Sequence, residues 1–277
     1  MKRAVVLCAD DYGMSEGVSR GIAELAGAGR ISAASVMTGG PAWPAEAAGL
    51  RPLAGRVGIG LHLTLTWGAP LGPMPGFAPG GRLPPLGRAV RTALSGRLPV
   101  AEIEGEIARQ LQAFADALGR EPDFVDGHQH VHALPGIRSA LLRVLARRGL
   151  AGRVWLRNPG DRPSAILARR SEVAKAAIVA ALSAGFRAEA EEAGFWTNRG
   201  FSGFSSFADR DTGVDFDRSL AALGPAHLVM CHPGHVADGE FLDGVTGSRR
   251  RELAYLASPA WPELLAACGV ELVPKPT

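Results

Sequence analysis

Short unbroken apolar runs alternate along this chain with stretches whose apolar residues recur every three or four positions. Residues 3–9, ending in "VVLCA", read as a buried strand, and Ser15 then caps a helix carrying Val18, Ile22 and Leu25 at helical spacing. "ISAASVM" (31–37) and "RVGIGLHLTL" (56–65) read as two further strands, with "PAWPAEAAGL" as a short helix between them. From Trp67 to Pro85 Gly and Pro dominate without periodicity, which predicts a long loop. "PVAEIEGEIARQLQAFADALG" sets Ile103, Ile107, Leu111, Phe114 and Leu118 on one face of an amphipathic helix. It leads into "DFVDGHQHVH", a strand ending in polar residues, then the helix "GIRSALLRVLARRG" and the strand "RVWLRNP". The segment from Ser164 to Ala190 reads as helical, with Arg169, Arg170, Lys175 and Arg187 between apolar stretches. "HLVMCHPGH" is a strand and loop, "SRRRELAYL" a helix and "VELVP" the last strand.

Neither a repeat nor a linker interrupts this alternation, so the expectation is a single domain over residues 1–277. Strand and helix in turn predict an α/β fold with a parallel sheet, open or closed. About seven strands and this length favour a distorted (β/α) barrel, in which active sites gather where strands end.

Composition narrows the function. The chain has 277 residues, 47% hydrophobic, a formal charge of +3 and only 6% aromatics, so a nucleic-acid groove with stacking residues is not expected. Cys8, Cys231 and Cys268 are far apart and form no C-x-x-C pair, which fits reduced thiols of a cytoplasmic protein. The apolar run before the acids is too short for a signal peptide, and no stretch approaches the ~18 apolar residues of a membrane span. The basic segment 164–190 admits a membrane-surface helix, set against a partly solvated helix with extended cations.

All seven histidines fall in three places: His62; His128, His130 and His132; His227, His232 and His235. Nearly all stand at or just past the end of a predicted strand, as do Asp10, Asp11 and Asp126; His227, at a strand's start, reads as structural. A cation needs ligands converging from different elements, and strand ends carrying Asp and His supply them. Two adjacent carboxylates are costly unless a cation or proton offsets them. Residues 126, 128, 130 and 132 share one face if their run stays extended, but at ~6.6 Å between neighbours they cannot all bind one ion. One or two would ligate, and the rest would hold substrate, orient ligands or move protons. A mixed Asp/His set suits a divalent transition metal such as zinc; magnesium normally prefers oxygen ligands.

"ADDYG", "VGIGLHLTL", "DGHQHVH" and "MCHPGH", in this order, resemble the YdjC-like carbohydrate deacetylases, which include chitooligosaccharide deacetylases and hopanoid-biosynthesis-associated deacetylases. The resemblance implies a distorted (β/α) barrel holding a divalent metal, zinc or magnesium, that removes acetyl groups from N-acetylated sugars, free or lipid-linked. It implies Asp10 as catalytic base and Asp11, His62 and His128 as metal ligands. His232 is then the first choice for the acid that protonates the leaving amine, with His132 second. Asp126, His130, His132 and Arg157 are expected to touch substrate or support the site, and Arg157 reads either as pairing with a carboxylate or sugar hydroxyl or as an ordinary surface arginine. In "TNRGFSGFSSF" (197–207), read as a loop, Phe201, Phe204 and Phe207 would stack on sugar rings or form a small core cluster. The family's usual "DSHHH" reads "DGHQH" here, and its "ADDFG" reads "ADDYG". A homodimer is the family expectation. The rival readings are another metal hydrolase on the same barrel, a phosphoesterase or amidohydrolase, and a non-catalytic sugar-binding relative.

Overall fold

Among the described residues eight strands form one sheet, and every pairing in it is parallel. They are β1 (Arg3–Tyr12), β2 (Ala33–Val36), β3 (Gly58–Leu63), β4 (Phe124–Gly127), β5 (Trp155–Leu156), β6 (Gly200–Ser202), β7 (His227–Cys231) and β8 (Val270–Leu272). This is a computed structural model, and it describes residues 2–207, 211–238, 240 and 242–277. The sheet runs β5-β4-β3-β2-β1-β7-β6, with β8 beside the first residues of β1.

The two edges come together. Leu156 of β5 bridges Thr197 and donates its N–H to the Trp196 carbonyl, while the same stretch of chain, three residues on, pairs with β7 as β6. Asn198 fastens the seam: its carbonyl accepts from Asn158 N–H and its amide donates to the Asn158 and Gly200 carbonyls. The sheet therefore curls into an irregular barrel, the expected α/β class. The strands are nearly all buried residues, as a parallel sheet covered by helices requires. The helix Val100–Leu118 turns Ile103, Ile107, Leu111 and Phe114 into the core, on the predicted face.

Local expectations fail where backbone pairing or tertiary contacts override periodicity. β1 does not stop before the acids but runs through them to Tyr12. β6 lies inside a segment read as loop, because three residues between glycines are too few to show a period. The helical reading of 164–190 breaks into three helices, Pro163–Arg169, Val173–Leu182 and Phe186–Glu192, with Arg170 and Glu172 in the left-handed region at the first break. The Gly/Pro stretch after β3 is an irregular loop as predicted and is followed by the helix Leu86–Leu94. No helix among the described residues is long and apolar enough to cross a membrane.

Candidate active site

The site begins with an irregularity in β1. Ala9 pairs with Ala34 and Tyr12 with Val36, so β1 spends one more residue than its neighbour over the same distance. Regular pleating would send Asp10 and Asp11 to opposite faces. The bulge, with Asp11 at φ 73°, lets both carboxylates line the same cleft. Aspartate tolerates the left-handed region better than most residues, which suits it to this position.

The two acids meet different partners. Arg157, just past β5 and fully buried, grips Asp10 with two hydrogen bonds, Nη1 to Oδ2 at 2.7 Å and Nη2 to Oδ1 at 2.6 Å, and also pairs with Asp126. Burial works against the Asp10 carboxylate, but the Arg157 charge and hydrogen bonds outweigh it and hold the carboxyl well below its usual range. Asp11 faces two histidines instead. His128 Nδ1 stands 3.0 Å and His62 Nε2 3.3 Å from Asp11 Oδ1, while Arg249 Nη2 donates to Asp11 Oδ2 at 2.7 Å. Burial again opposes the charge, and Arg249 with the two histidines overcomes it, so the Asp11 carboxyl is also held low.

His62 is fixed from behind. Its Nδ1 lies 2.7 Å from Asp126 Oδ1, and Ser35, on β2, donates to the same oxygen. Burial disfavours the imidazolium, yet the charges of Asp126 and Asp10, with the hydrogen bonds that the ring donates to Asp11 and Asp126, push its pKa up to about 10. That is the field of a pocket with excess negative charge, which equally favours a bound cation.

Asp11, His62 and His128 fit a divalent metal. All three are buried and each offers one ligand atom, the three lying within 4.8 Å of one another. Ligands about 2.1 Å from a tetrahedral ion lie roughly 3.4 Å apart, close to the 3.0 and 3.3 Å measured here. Asp10, Asp126 and Cys8 also converge, but the Arg157 guanidinium already binds both carboxylates, and burial pushes the Cys8 thiol up, away from the thiolate a metal needs.

The histidine run is not extended. The chain leaves β4 at Gly127 and turns through Gln129 (φ 54°) and His130 (φ 60°), so alternation ends at His128. His132 folds inward, its Nε2–H donating to the Arg157 carbonyl at 2.7 Å, and burial brings its pKa down to about 4. Gly127 accommodates this turn: a Cβ there would stand 2.9 Å from His132 Nδ1 and 3.1 Å from its backbone nitrogen. The departure from the family's serine is thus matched to the position of His132.

His130 lines the cleft and meets the edges of Phe201 and Phe204. Those two rings are 1% and 6% exposed, so they belong to a buried cluster rather than to an open sugar platform. Phe207 does reach the cleft, where it packs against His232 and receives the Lys175 ammonium 4.3 Å from its centroid. His232, just past β7, lines the cleft with Nε2 4.0 Å from Asp10 Oδ2. His227 is structural, as read: Nδ1 accepts from Gly224 N–H and Nε2 lies 3.0 Å from Ser202 Oγ.

Two contributors were not singled out from the sequence. Arg249 hides among three consecutive arginines, yet shares the inner stripe of the helix Thr246–Ala257 with Leu253 and Leu256. Its helical spacing was the available signal. Ser35 sits in a strand of small residues and gave none.

The cleft measures about 710 Å³. It opens at the carboxyl ends of the strands, where an α/β barrel places an active site. An irregular parallel barrel with a buried Asp/His/His set that could hold a metal ion, beside an Arg-clamped aspartate, defines the class of site. The chain belongs to the YdjC-like protein family, whose model matches residues 4–267. It is 34% identical over 279 residues to the chitooligosaccharide deacetylase of Salmonella paratyphi B, covering 97% of this chain and 96% of that one. A second relative, the chitooligosaccharide deacetylase of Enterobacter sp. (strain 638), is 39% identical over 155 residues, which are 56% of this chain and 60% of that one. Among solved structures, an Enterococcus faecalis V583 protein provisionally described as acting in cellobiose-phosphate cleavage has the same fold. Its TM-score is 0.72 at 21% identity, over 99% of this chain and 97% of that one.

Proposed function

We propose that this protein is a metal-dependent carbohydrate N-deacetylase that hydrolyses the acetamide of an N-acetylated amino sugar to acetate and a free amine. The observation that carries the reading is the cleft that sets a carboxylate and two imidazoles at ligand spacing beside a second, arginine-held carboxylate and a histidine. The names of the curated relatives support it.

Asp11, His62 and His128 would hold the cation, and a His₂-carboxylate set favours zinc over magnesium. A divalent ion there supplies Lewis-acid activation of water and of the acetamide carbonyl. Asp10, kept ionised by Arg157, accepts the proton of the water that attacks the carbonyl carbon. His232 donates a proton to the sugar nitrogen as the C–N bond breaks, which prevents expulsion of an unprotonated amide anion. Asp126 and Ser35 fix the His62 ring, and His132 fixes the backbone that carries Arg157.

Beyond the acids the cleft is walled by Leu86, Val90, Leu134, Ile178 and Leu182. Such a wall suits a sugar joined to an apolar group, which supports a lipid-linked substrate.

Incubation of the zinc-loaded protein with N-acetylglucosamine oligomers and N-acetylglucosaminyl lipids should release acetate and amine in equal amounts. Chelation should abolish the release. Inactivity across this panel with metal supplied would sink the reading.

A further inference from the structure

The rims of the cleft are only partly explained by core packing: Leu86, Val90 and Leu182 lean on the main core and Val173, Val179 and Ala180 on a second cluster, but Leu94 and Ile178 are left in solvent. The helix Leu86–Leu94 buries only its two alanines, Ala89 and Ala93, while Leu94 stands 59% exposed. Leu86, Val90 and Leu94 are four residues apart, so they form one stripe that begins in the cleft and ends outside it. Across the cleft, the helix Val173–Leu182 ("VAKAAIVAAL") is apolar at nine of its ten positions yet buries only Ala176, and Ile178 is 60% exposed. A water-soluble surface ordinarily places its large aliphatic residues the other way round.

Charge on the first of these rims is one-sided. From Ala47 to Ala101 the chain contains no Asp or Glu, while Arg82, Arg88, Arg91 and Arg97 surround the first helix. All four are exposed and pair with no carboxylate among the described residues. Residues 173–188 are equally free of acids and carry Lys175 and Arg187. Glu172 before that stretch and Glu189, Glu191 and Glu192 after it balance the second rim, so the basic excess lies with the first helix.

We propose that this rim docks on an anionic lipid bilayer, with Leu94 and Ile178 entering the interface and the arginines meeting lipid phosphates, so that the cleft opens toward the membrane. Aliphatic residues flanked by unpaired cations are the composition of an interfacial helix. A second copy of the chain is a poorer occupant, because it would bring two basic rims together. A closing lid is poorer too, since Leu94 is not among the residues that line the cleft. The inference does not depend on the deacetylase reading, because it concerns the surface around the cleft.

The test is sedimentation of the purified protein with two kinds of vesicle, pure phosphatidylcholine and an equal mixture of phosphatidylcholine and phosphatidylglycerol. The protein should pellet with the mixed vesicles, remain largely in solution with the neutral ones, and be released by salt. Arg88→Glu/Arg91→Glu and, separately, Leu94→Asp should each weaken partition by about tenfold or more while thermal unfolding and turnover of a soluble substrate stay unchanged. Failure to pellet with either vesicle overturns the proposal, as does equal pelleting with both that ignores the arginine variant. A dimer in solution that Leu94→Asp dissociates, without vesicle binding, would overturn it in favour of a second copy.

Discussion

Asp10 and Asp11 are adjacent, equally buried and both held ionised, yet one is closed and the other open. Both oxygens of Asp10 are taken by one planar guanidinium, a monovalent partner fixed by the fold. Asp11 gives one oxygen to Arg249 and turns the other toward two imidazole nitrogens, which can offer lone pairs to a metal once their protons are displaced. A like-charge pair that looks costly in sequence is resolved by giving each acid a separate counter-charge. The lesson is that partners, not residue type, decide which carboxylate stays a base and which becomes a ligand.

The largest effect expected is on turnover, and it should separate the pair. Asp10→Asn should lower the deacetylation rate by about 10²- to 10⁴-fold with metal content unchanged. Asp11→Asn should lose both activity and metal, because it removes the only carboxylate of the donor set. Metal analysis alongside acetate release checks this; equal metal loss in the two variants would break the comparison.

Stability comes next. Arg157→Met leaves Asp10 and Asp126 buried without their cation and should cost about 3–5 kcal/mol in urea unfolding. Arg249→Met exposes Asp11 to the same loss, but added zinc should restore most of it, because a cation at His62 and His128 can replace the missing charge. Zinc should not rescue Arg157→Met, whose acids lie on the closed side.

Acid should then narrow the Arg157→Met deficit. In the wild type the folded Asp10 pKa is depressed, so its contribution is complete above about pH 4 and is lost as pH falls through the folded value. Without Arg157, burial is opposed only by the charges of His62 and His232 and should raise that pKa above the unfolded one, so the variant is penalised at neutral pH and relieved as the carboxyl protonates. Urea unfolding should show the gap shrinking by about 1 kcal/mol per pH unit across that range. A gap that is constant with pH would mean that Asp10 draws little from Arg157.

The place of this candidate site was legible because acids and histidines gather at strand ends, whereas the choice of Asp11, His62 and His128 as ligands came only with the family resemblance. The fold class was legible for the same reason that helices and parallel strands differ in period. What stayed hidden depends on backbone conformation or long-range pairing. Nothing in "ADDYG" announces a bulge with Asp11 at positive φ, although that bulge puts both acids in one cleft. An extended reading of "DGHQHVH" fails for a similar cause: the turn at Gln129 and His130 is held by the inward hydrogen bond of His132. Phe201 and Phe204 could be read as platform or core, and only the closure of the barrel beside β6 decides for core.

The smallest effect expected lies at Gly127, the residue that joins the two halves. His128, on one side, belongs to the Asp11 set, while the chain folding back as His132 supports Arg157 and so the Asp10 set. Gly127→Ser puts a Cβ 2.9 Å from His132 Nδ1, so the His132 ring must shift and its hydrogen bond to the Arg157 carbonyl must lengthen. Small-to-large changes of this kind cost about 1–3 kcal/mol, and one added carbon and oxygen at a side chain able to rotate belongs at the low end. Turnover should fall by several-fold through the loosened Arg157 and Asp10, while zinc affinity, set by Asp11, His62 and His128, should hold. Calorimetric zinc binding and initial rates on the same preparation distinguish the halves. If zinc affinity falls in step with turnover, the two sets are mechanically one, and the separation of the aspartates ends at their first partners.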